Sequence, residues 1–295
     1  MSETGRIAAW SLVVGVAVLG IKTFAWWLTG SVALLSDALE SVVNIATAFA
    51  ALMAVRIAAR PPDATHPYGH HKAEFFSAVL EGVLIVVAAL FILEEAWQGF
   101  RTPPEINAPW TGIAVNLVAA GLNAAWAAVL IRQGRRLRSP ALRADGAHLR
   151  ADVVTSAGVA IGVAAAVLTG WTWLDPALAA LVAVHVLWSG WKVLSASVSG
   201  LMDESIPEPD LASLREIISE SAEGAVEAHD LRTRHAGSAT FVEFHLVVPG
   251  DMTVETAHRI CDRVEASLKS AVPECTVTIH VEPEHKAKHT GIVVL

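Results

Sequence analysis

Two short patterns in the 295-residue chain place ionisable groups where they could share one ion. Glu40 and Asn44 are four residues apart, and so are His148 and Asp152. On a helix that spacing puts both side chains of a pair on one face. Two such pairs on facing helices supply four nitrogen and oxygen donors, a set suited to tetrahedral coordination of a divalent transition metal. The carboxylates of Glu40 and Asp152 would balance the charge of a dication. Interhelical hydrogen bonding is the alternative for either pair alone, and the repetition favours the ion. A third pattern, Asp63-x2-His66-x3-His70, gathers three ligands on a short stretch, which could hold a zinc-like ion with water or a fourth group. A polar loop with surface histidines is the other reading.

The last third of the chain holds a fourth group. Val242, Phe244 and Leu246 alternate with Glu243 and His245; Val277, Ile279 and Val281 alternate with Thr278, His280 and Glu282. Strand alternation therefore predicts His245, His280 and Glu282 on one solvent-facing sheet surface. His229 and His235 flank the preceding strand, and His258 lies on the polar side of a helix. Six of the twelve histidines fall between 229 and 285, beside many acids that favour cations.

The elements that must position these groups follow from composition. Hydrophobic residues make up 54% of the chain and charged ones only 17%, with a mean hydropathy of +0.49. That excludes a disordered chain, a nucleic-acid binder and an ordinary soluble domain, and points to a membrane protein. The formal charge of -8 is uneven: residues 1–200 net +1 and residues 201–295 net -9. Cys261 and Cys275 form no CxxC, so a structural thiolate zinc site is not expected. The first apolar run is too long for a signal-peptide core and reads as a retained span.

A membrane-crossing helix needs about 20 mostly apolar residues. Six stretches qualify, at roughly 7–29, 32–57, 74–99, 109–132, 149–170 and 174–196. Trp26, Trp27, Trp110, Trp171 and Trp173 sit at their ends, as interfacial tryptophans do. Cations concentrate in the loops after spans two (Arg56, Arg60, Lys72) and four (Arg132, Arg135, Arg136, Arg138, Arg143), so those loops and both termini are expected to be cytoplasmic. Charges within the spans are costly and are functional candidates by default. Lys22 reads as snorkelling or paired with an acid, Glu81, Glu94 and Glu95 as lining a vestibule or an interface, and His185 as structural. After residue 200 the periodicities read helix, strand, strand, helix, strand. The expected architecture is an α-helical membrane protein with six transmembrane helices (1–200), a C-terminal α+β ferredoxin-like αββαβ cytoplasmic domain (201–285), and a flexible tail (286–295).

The stretches SVALLSDALESVVN, HPYGHHKAEFF, ALRADGAHLRADVVTS and HDLRTRHAG…FVEFHLVVP…AHRICDRVE…VTIHVEPE resemble the cation diffusion facilitator family, most closely its bacterial YiiP/FieF-like ferrous-iron and zinc efflux members. The resemblance covers residues 6–285. It implies a homodimer in the bacterial inner membrane, exchanging divalent metal ions for protons by alternating access and binding no nucleic acid. It implies a transport site on Glu40, Asn44, His148 and Asp152, and a loop site on Asp63, His66 and His70. A dimer-associated cytoplasmic site would fall on His229, His245, His258, His280 and Glu282, and a domain-junction salt bridge on Lys72 and Asp203. The family usually carries Asp or His, then Asp, on span two; Glu40 and Asn44 make the set harder, since Asn is a neutral oxygen ligand. Zinc is the leading cargo, with iron, manganese, cobalt and cadmium as alternatives. The competing function is a membrane metal sensor or scaffold without flux. An intramembrane metalloenzyme finds no support, as no HExxH occurs.

Overall fold

The computed structural model describes residues 3–29, 32–101, 109–171, 173–289 and 291–293. The chain divides into two units, Met1–Val198 and Ser199–Leu295. The first is built of long helices: α1 (Glu3–Thr29), α2 (Val32–Ala58), α3 (Ala73–Arg101), α4 (Pro109–Arg136), α5 (Pro140–Thr169) and α6 (Leu174–Leu201). Each has 27–30 residues, about 40–45 Å at 1.5 Å per residue, enough to cross a bilayer.

The burial pattern of this unit is inverted relative to a water-soluble protein. Trp10, Phe24, Phe91, Trp97, Leu168, Leu181 and Trp191 are exposed, whereas Lys22, Glu81, Asn123 and Asp145 are buried. An apolar exterior around polar interior groups is what lipid as solvent selects. Trp27, Trp110, Trp171 and Trp173 are exposed at helix ends, and the rings of Trp171 and Trp173 stack 5.9 Å apart. Trp26 has a side chain outside the described set.

By length and apolar composition, four described helices are candidate spans: 3–24, 73–101, 113–136 and 176–201. The six expected spans fall on the six long helices α1–α6. In α2 the described apolar stretch is Asn44–Ala58. The first half of α5 carries Arg143, Asp145, His148, Arg150 and Asp152. That helix also begins at Pro140, nine residues ahead of the expected start, so Asp145 belongs to the same helix as His148 and Asp152.

α5 is central in its unit. Its Leu142 and Leu149 join Ala8, Leu52, Ala127 and Leu130 from α1, α2 and α4, while its Ala151 joins Ile85, Ala89 and Val186 from α3 and α6. Glycines permit the close approach of α3 and α6. A Cβ at Gly82 would fall 2.9 Å from the backbone nitrogen of Leu194, and one at Gly190 2.8 Å from a methyl of Ile85. Small residues at helix contacts are the usual route to tight packing where lipid supplies no hydrophobic drive.

In the second unit, α7 (Glu208–Ser221) and α8 (Val254–Ala271) cover one face of a sheet of β1 (Glu227–Ala236), β2 (Ala239–Val248), β3 (Cys275–Pro283) and β4 (Ile292–Val293). The strand order is β3-β2-β1-β4, with β2 and β3 parallel and the other pairs antiparallel. The core joins Leu214 and Ile218 of α7, Ile260, Val264 and Leu268 of α8, and Val242, Phe244 and Leu246 of β2. Thr253 caps α8 by accepting from the backbone N–H of Thr256. Cys261 and Cys275 are free, buried thiols.

The order helix, strand, strand, helix, strand is the expected one, with three differences. Val277 and Ile279 pack on the core, but Val281 is exposed beyond the reach of α8. β1 carries a bulge between His229 and Arg232 that breaks its alternation. The tail read as loose is hydrogen-bonded: Ile292 pairs with Ala228 and Val293 with Glu227. Two residues carry too little periodicity to read as a strand, and only the exposed edge of β1 makes them one.

Gly82→Val is expected to separate α3 from α6 and lower the thermal unfolding midpoint in detergent, a cost of about 1–3 kcal/mol. Gly121→Val, at a position that faces open space, should leave the midpoint in place. Equal midpoints for the two variants contradict this packing.

Candidate metal centres

The first centre lies between α2 and α5. His148 Nε2 is 2.8 Å from Asn44 Oδ1, so Nε2–H donates to the amide oxygen. Asn44, His148 and Asp152 are all buried. Asp152 Oδ2 accepts from Asn123 Nδ2 of α4 at 2.6 Å, and Lys22 Nζ of α1 stands 4.0 Å from the same oxygen. His148 Nδ1 and Asp152 Oδ1 are buried and have no hydrogen-bond partner among the described residues. Buried polar atoms in native proteins are nearly always paired. Two lone-pair donors left over on adjacent turns of one helix are what a cation would complete. Glu40 lies one turn before Asn44 on α2; its side chain is outside the described residues, as is that of Asp37.

A small cavity adjoins this centre, lined by Ser11, Ser41, Asn44, Asn123 and Asp145 together with apolar groups of α1, α2 and α5. Ser11 Oγ donates to Asp145 Oδ2 at 2.6 Å and accepts from Trp126 Nε1 at 3.0 Å. Glu81 of α3 is fully buried, Glu94 is exposed and accepts from Gln98, and the side chain of Glu95 lies outside the described residues. His185 is exposed beside Trp188.

The second centre is the loop between α2 and α3. Asp63 Oδ1 accepts from the backbone N–H groups of Thr65 (2.8 Å) and His66 (2.7 Å) and from the Thr65 hydroxyl (2.8 Å). The Thr65 hydroxyl, with these backbone donors, holds the Asp63 carboxyl far below the usual carboxylate range. The carboxylate thus stays ionised, with His66 Nδ1 3.5 Å from one oxygen and His70 Nε2 3.5 Å from the other. One ligand atom from each of the three lies within 4.8 Å of the others. Gly69 turns the chain with φ +82°, a conformation L side chains rarely adopt.

The third centre is built by strand register. His229 of β1 pairs with His245 of β2, which pairs with His280 of β3. The three histidines form a row across the sheet on the face away from α8, with ring centroids 5.4 and 4.9 Å apart. Glu282, two residues beyond His280 and on the same face, reaches all three: 3.2 Å to His229 Nε2, 3.4 Å to His245 Nδ1 and 3.7 Å to His280 Nε2. Glu227 orients the buried His229 through Nδ1 at 3.0 Å. Burial pushes the Glu227 carboxyl up, but the backbone donors of Lys288 and His289 and the imidazole of His229 together bring it below its ordinary value. An orienting carboxylate behind a ligand histidine is the usual outer shell of a metal site.

Two predicted members stand apart. His258 is exposed on α8, 3.6 Å from Asp262, and α8 covers the opposite face of the sheet. Within one chain it does not join the row. His235 sits at the hairpin end of β1, paired with Thr240 through Nδ1 at 3.1 Å. Lys72 belongs to the first unit, where its carbonyl accepts from Phe75, and Asp203 to the second, where it accepts from Arg234 at 3.1 Å. Asn123 and Glu227 were missed, and so was Asp230, which groups with His229 and His245. Asn123 is uncharged on an apolar helix, and Asp230 is re-aimed by the bulge. Of the three, only Glu227, two residues from a candidate histidine, carried a readable signal.

Residues 8–202 match the cation efflux transmembrane domain and residues 206–284 the cytoplasmic domain of cation efflux proteins. The chain belongs to the cation efflux, or cation diffusion facilitator, family. It is 44% identical to the uncharacterized transporter sll1263 of Synechocystis sp. over 94% of this chain and 89% of that one. It is 32% identical to the cation-efflux pump FieF of Citrobacter koseri, over 94% of this chain and 92% of that one. A solved CzrB chain in a zinc form is 49% identical, with a TM-score of 0.28, covering 29% of this chain and 98% of that chain. The cation efflux family consists of membrane transporters, and the three clusters described above lie within its two matched domains.

Glu282→Gln is expected to weaken zinc binding at the histidine row by more than about tenfold, as loss of a shared carboxylate does in metal sites. His235→Ala should bind like the parent. Calorimetric titration of the purified protein checks both, and equal losses would contradict the assignment.

Proposed function

We propose that this chain exports divalent transition metal ions, zinc first among them, from the bacterial cytoplasm in exchange for protons. The observation that carries the reading is the pair of unpartnered, buried donor atoms His148 Nδ1 and Asp152 Oδ1 beside Asn44 and Asn123. Glu40 would complete the set from α2.

The chemistry follows from shared lone pairs. A metal ion binds neutral imidazole and ionised carboxylate, and a proton needs the same electrons. Protonation of His148 or of a carboxylate on the outer side therefore weakens metal binding and releases the ion. Lys22 near Asp152 supplies a positive charge beside the site, so the carboxylate is not left uncompensated in an apolar bundle between ions. Alternating access lets one midplane site serve both sides in turn. The loop cluster of Asp63, His66 and His70, on the cation-rich side assigned to the cytoplasm, would meet metal before it enters.

The histidine row gives the cytoplasmic domain a way to sense metal. Filling it in a homodimer would draw two domains together and shift the transporter between states. His258, displaced from the row within one chain, would reach such a centre only from a second copy.

Reconstituted in liposomes with an imposed proton gradient, the parent chain should take up zinc and move protons the other way. Asp152→Ala should reduce both fluxes to the level of empty liposomes. Unchanged flux in Asp152→Ala overturns the transport site, and zinc binding without flux in the parent would make the chain a sensor.

A further inference from the structure

The C-terminal segment after the last long strand is tied to the third centre at three points. The backbone N–H of Lys288 donates to Glu227 Oε1 at 2.6 Å, and that of His289 to Glu227 Oε2 at 3.0 Å. Ile292 and Val293 then extend the sheet along β1. At Gly291 a Cβ would fall 2.4 Å from the carbonyl oxygen of Ala228, so the segment lies flush on β1 only because that residue is glycine. The third tie is electrostatic. Lys288 Nζ stands 2.7 and 2.6 Å from the two oxygens of Asp230, so one ammonium engages the whole carboxylate.

Asp230 occupies an unusual position. It sits in the bulge of β1 with φ +53°, a left-handed conformation uncommon for residues other than glycine. Bulges recur next to functional sites, where they re-aim a side chain. Here the bulge brings Asp230 Oδ2 within 4.0 Å of His245 Nδ1, on the side of the sheet that carries the histidine row. One ligand atom from each of His229, Asp230 and His245 lies within 4.8 Å of the others. The charged and titratable groups around this corner are Glu227, Asp230, Glu282, His229, His245, His280 and Lys288.

We propose that Asp230 is a metal ligand of the cytoplasmic centre and that Lys288 is a tethered ammonium which holds its place until a divalent cation displaces it and frees the C-terminal strand. The inference rests on the reading of the histidine row as a metal centre. A dication and an ammonium compete for the same two oxygens, so metal binding and tail docking oppose each other. The opposition is reciprocal: metal loosens the tail by the factor by which the tail weakens metal. The tail thereby sets the metal concentration at which the domain responds, and its release exposes the edge of β1 as a signal of occupancy.

The test uses the full chain in detergent with Asp152→Ala and Asp63→Ala, so that zinc reports the cytoplasmic centre. Zinc is expected to speed hydrogen exchange at the amides of Lys288, His289 and Ile292. Lys288→Met should tighten zinc binding about fivefold, the scale of an exposed ion pair. Gly291→Val, which evicts the tail without changing charge, should tighten it as well. Lys286→Met, an equal charge change two residues earlier, should bind like the parent, and Asp230→Asn should bind more weakly. Zinc bound with unaltered tail exchange, or equal affinity in Lys288→Met and the parent, overturns the proposal. Absence of any binding sensitive to His229→Ala would instead overturn the metal reading beneath it.

Discussion

An ionised carboxylate inside an apolar helical bundle must be neutralised, because the hydrocarbon around it offers no water to do so. Asp152 imposes that constraint on this chain. Asn123 is committed to it from α4 and Lys22 stands near it from α1, while Asn44 of α2 holds the neighbouring His148. The same arrangement leaves one oxygen of Asp152 and one nitrogen of His148 unused. On the proposed reading a cation would complete this site, and its affinity would fall when a proton takes the same lone pairs.

The second unit solves a different problem, in water. Its core needs only one face of the sheet, which α7 and α8 cover. The other face is free to carry histidines, and strand register aligns one from each of β1, β2 and β3. Because side chains alternate faces along a strand, a step of two residues along β3 carries Glu282 beside the row without leaving its face. The bulge then adds Asp230 to the acidic side of the same corner, and the docked tail sets Lys288 against it. Acidic residues concentrate in this last third of the chain, and several of them converge on the histidines.

Much of this was legible in the amino-acid order. Apolar runs marked the long helices, and the four-residue spacing of His148 with Asp152 marked the buried centre. Period-two alternation marked the face shared by His245, His280 and Glu282. What escaped was non-local or irregular. Asn123 looks like any neutral residue in an apolar helix until Asp152 is placed against it. Asp230 lies in phase with the core residue Ala228 in a regular strand, and only the bulge turns it toward His245. The strand at Ile292 exists because β1 has an open edge, which no local pattern announces. His258 was assigned by resemblance to the cytoplasmic site, yet the apolar face that α8 covers is opposite the histidine row.

The central claim is that the cargo ion is held by one imidazole and by oxygen donors from α2 and α5. X-ray absorption on the full chain carrying Asp63→Ala and His229→Ala, with one equivalent of zinc, reads that shell directly. The account predicts a first shell of nitrogen and oxygen at about 2.0–2.2 Å with scattering from a single imidazole and no sulfur. A shell with two or more imidazoles, or one made of water alone, would contradict it.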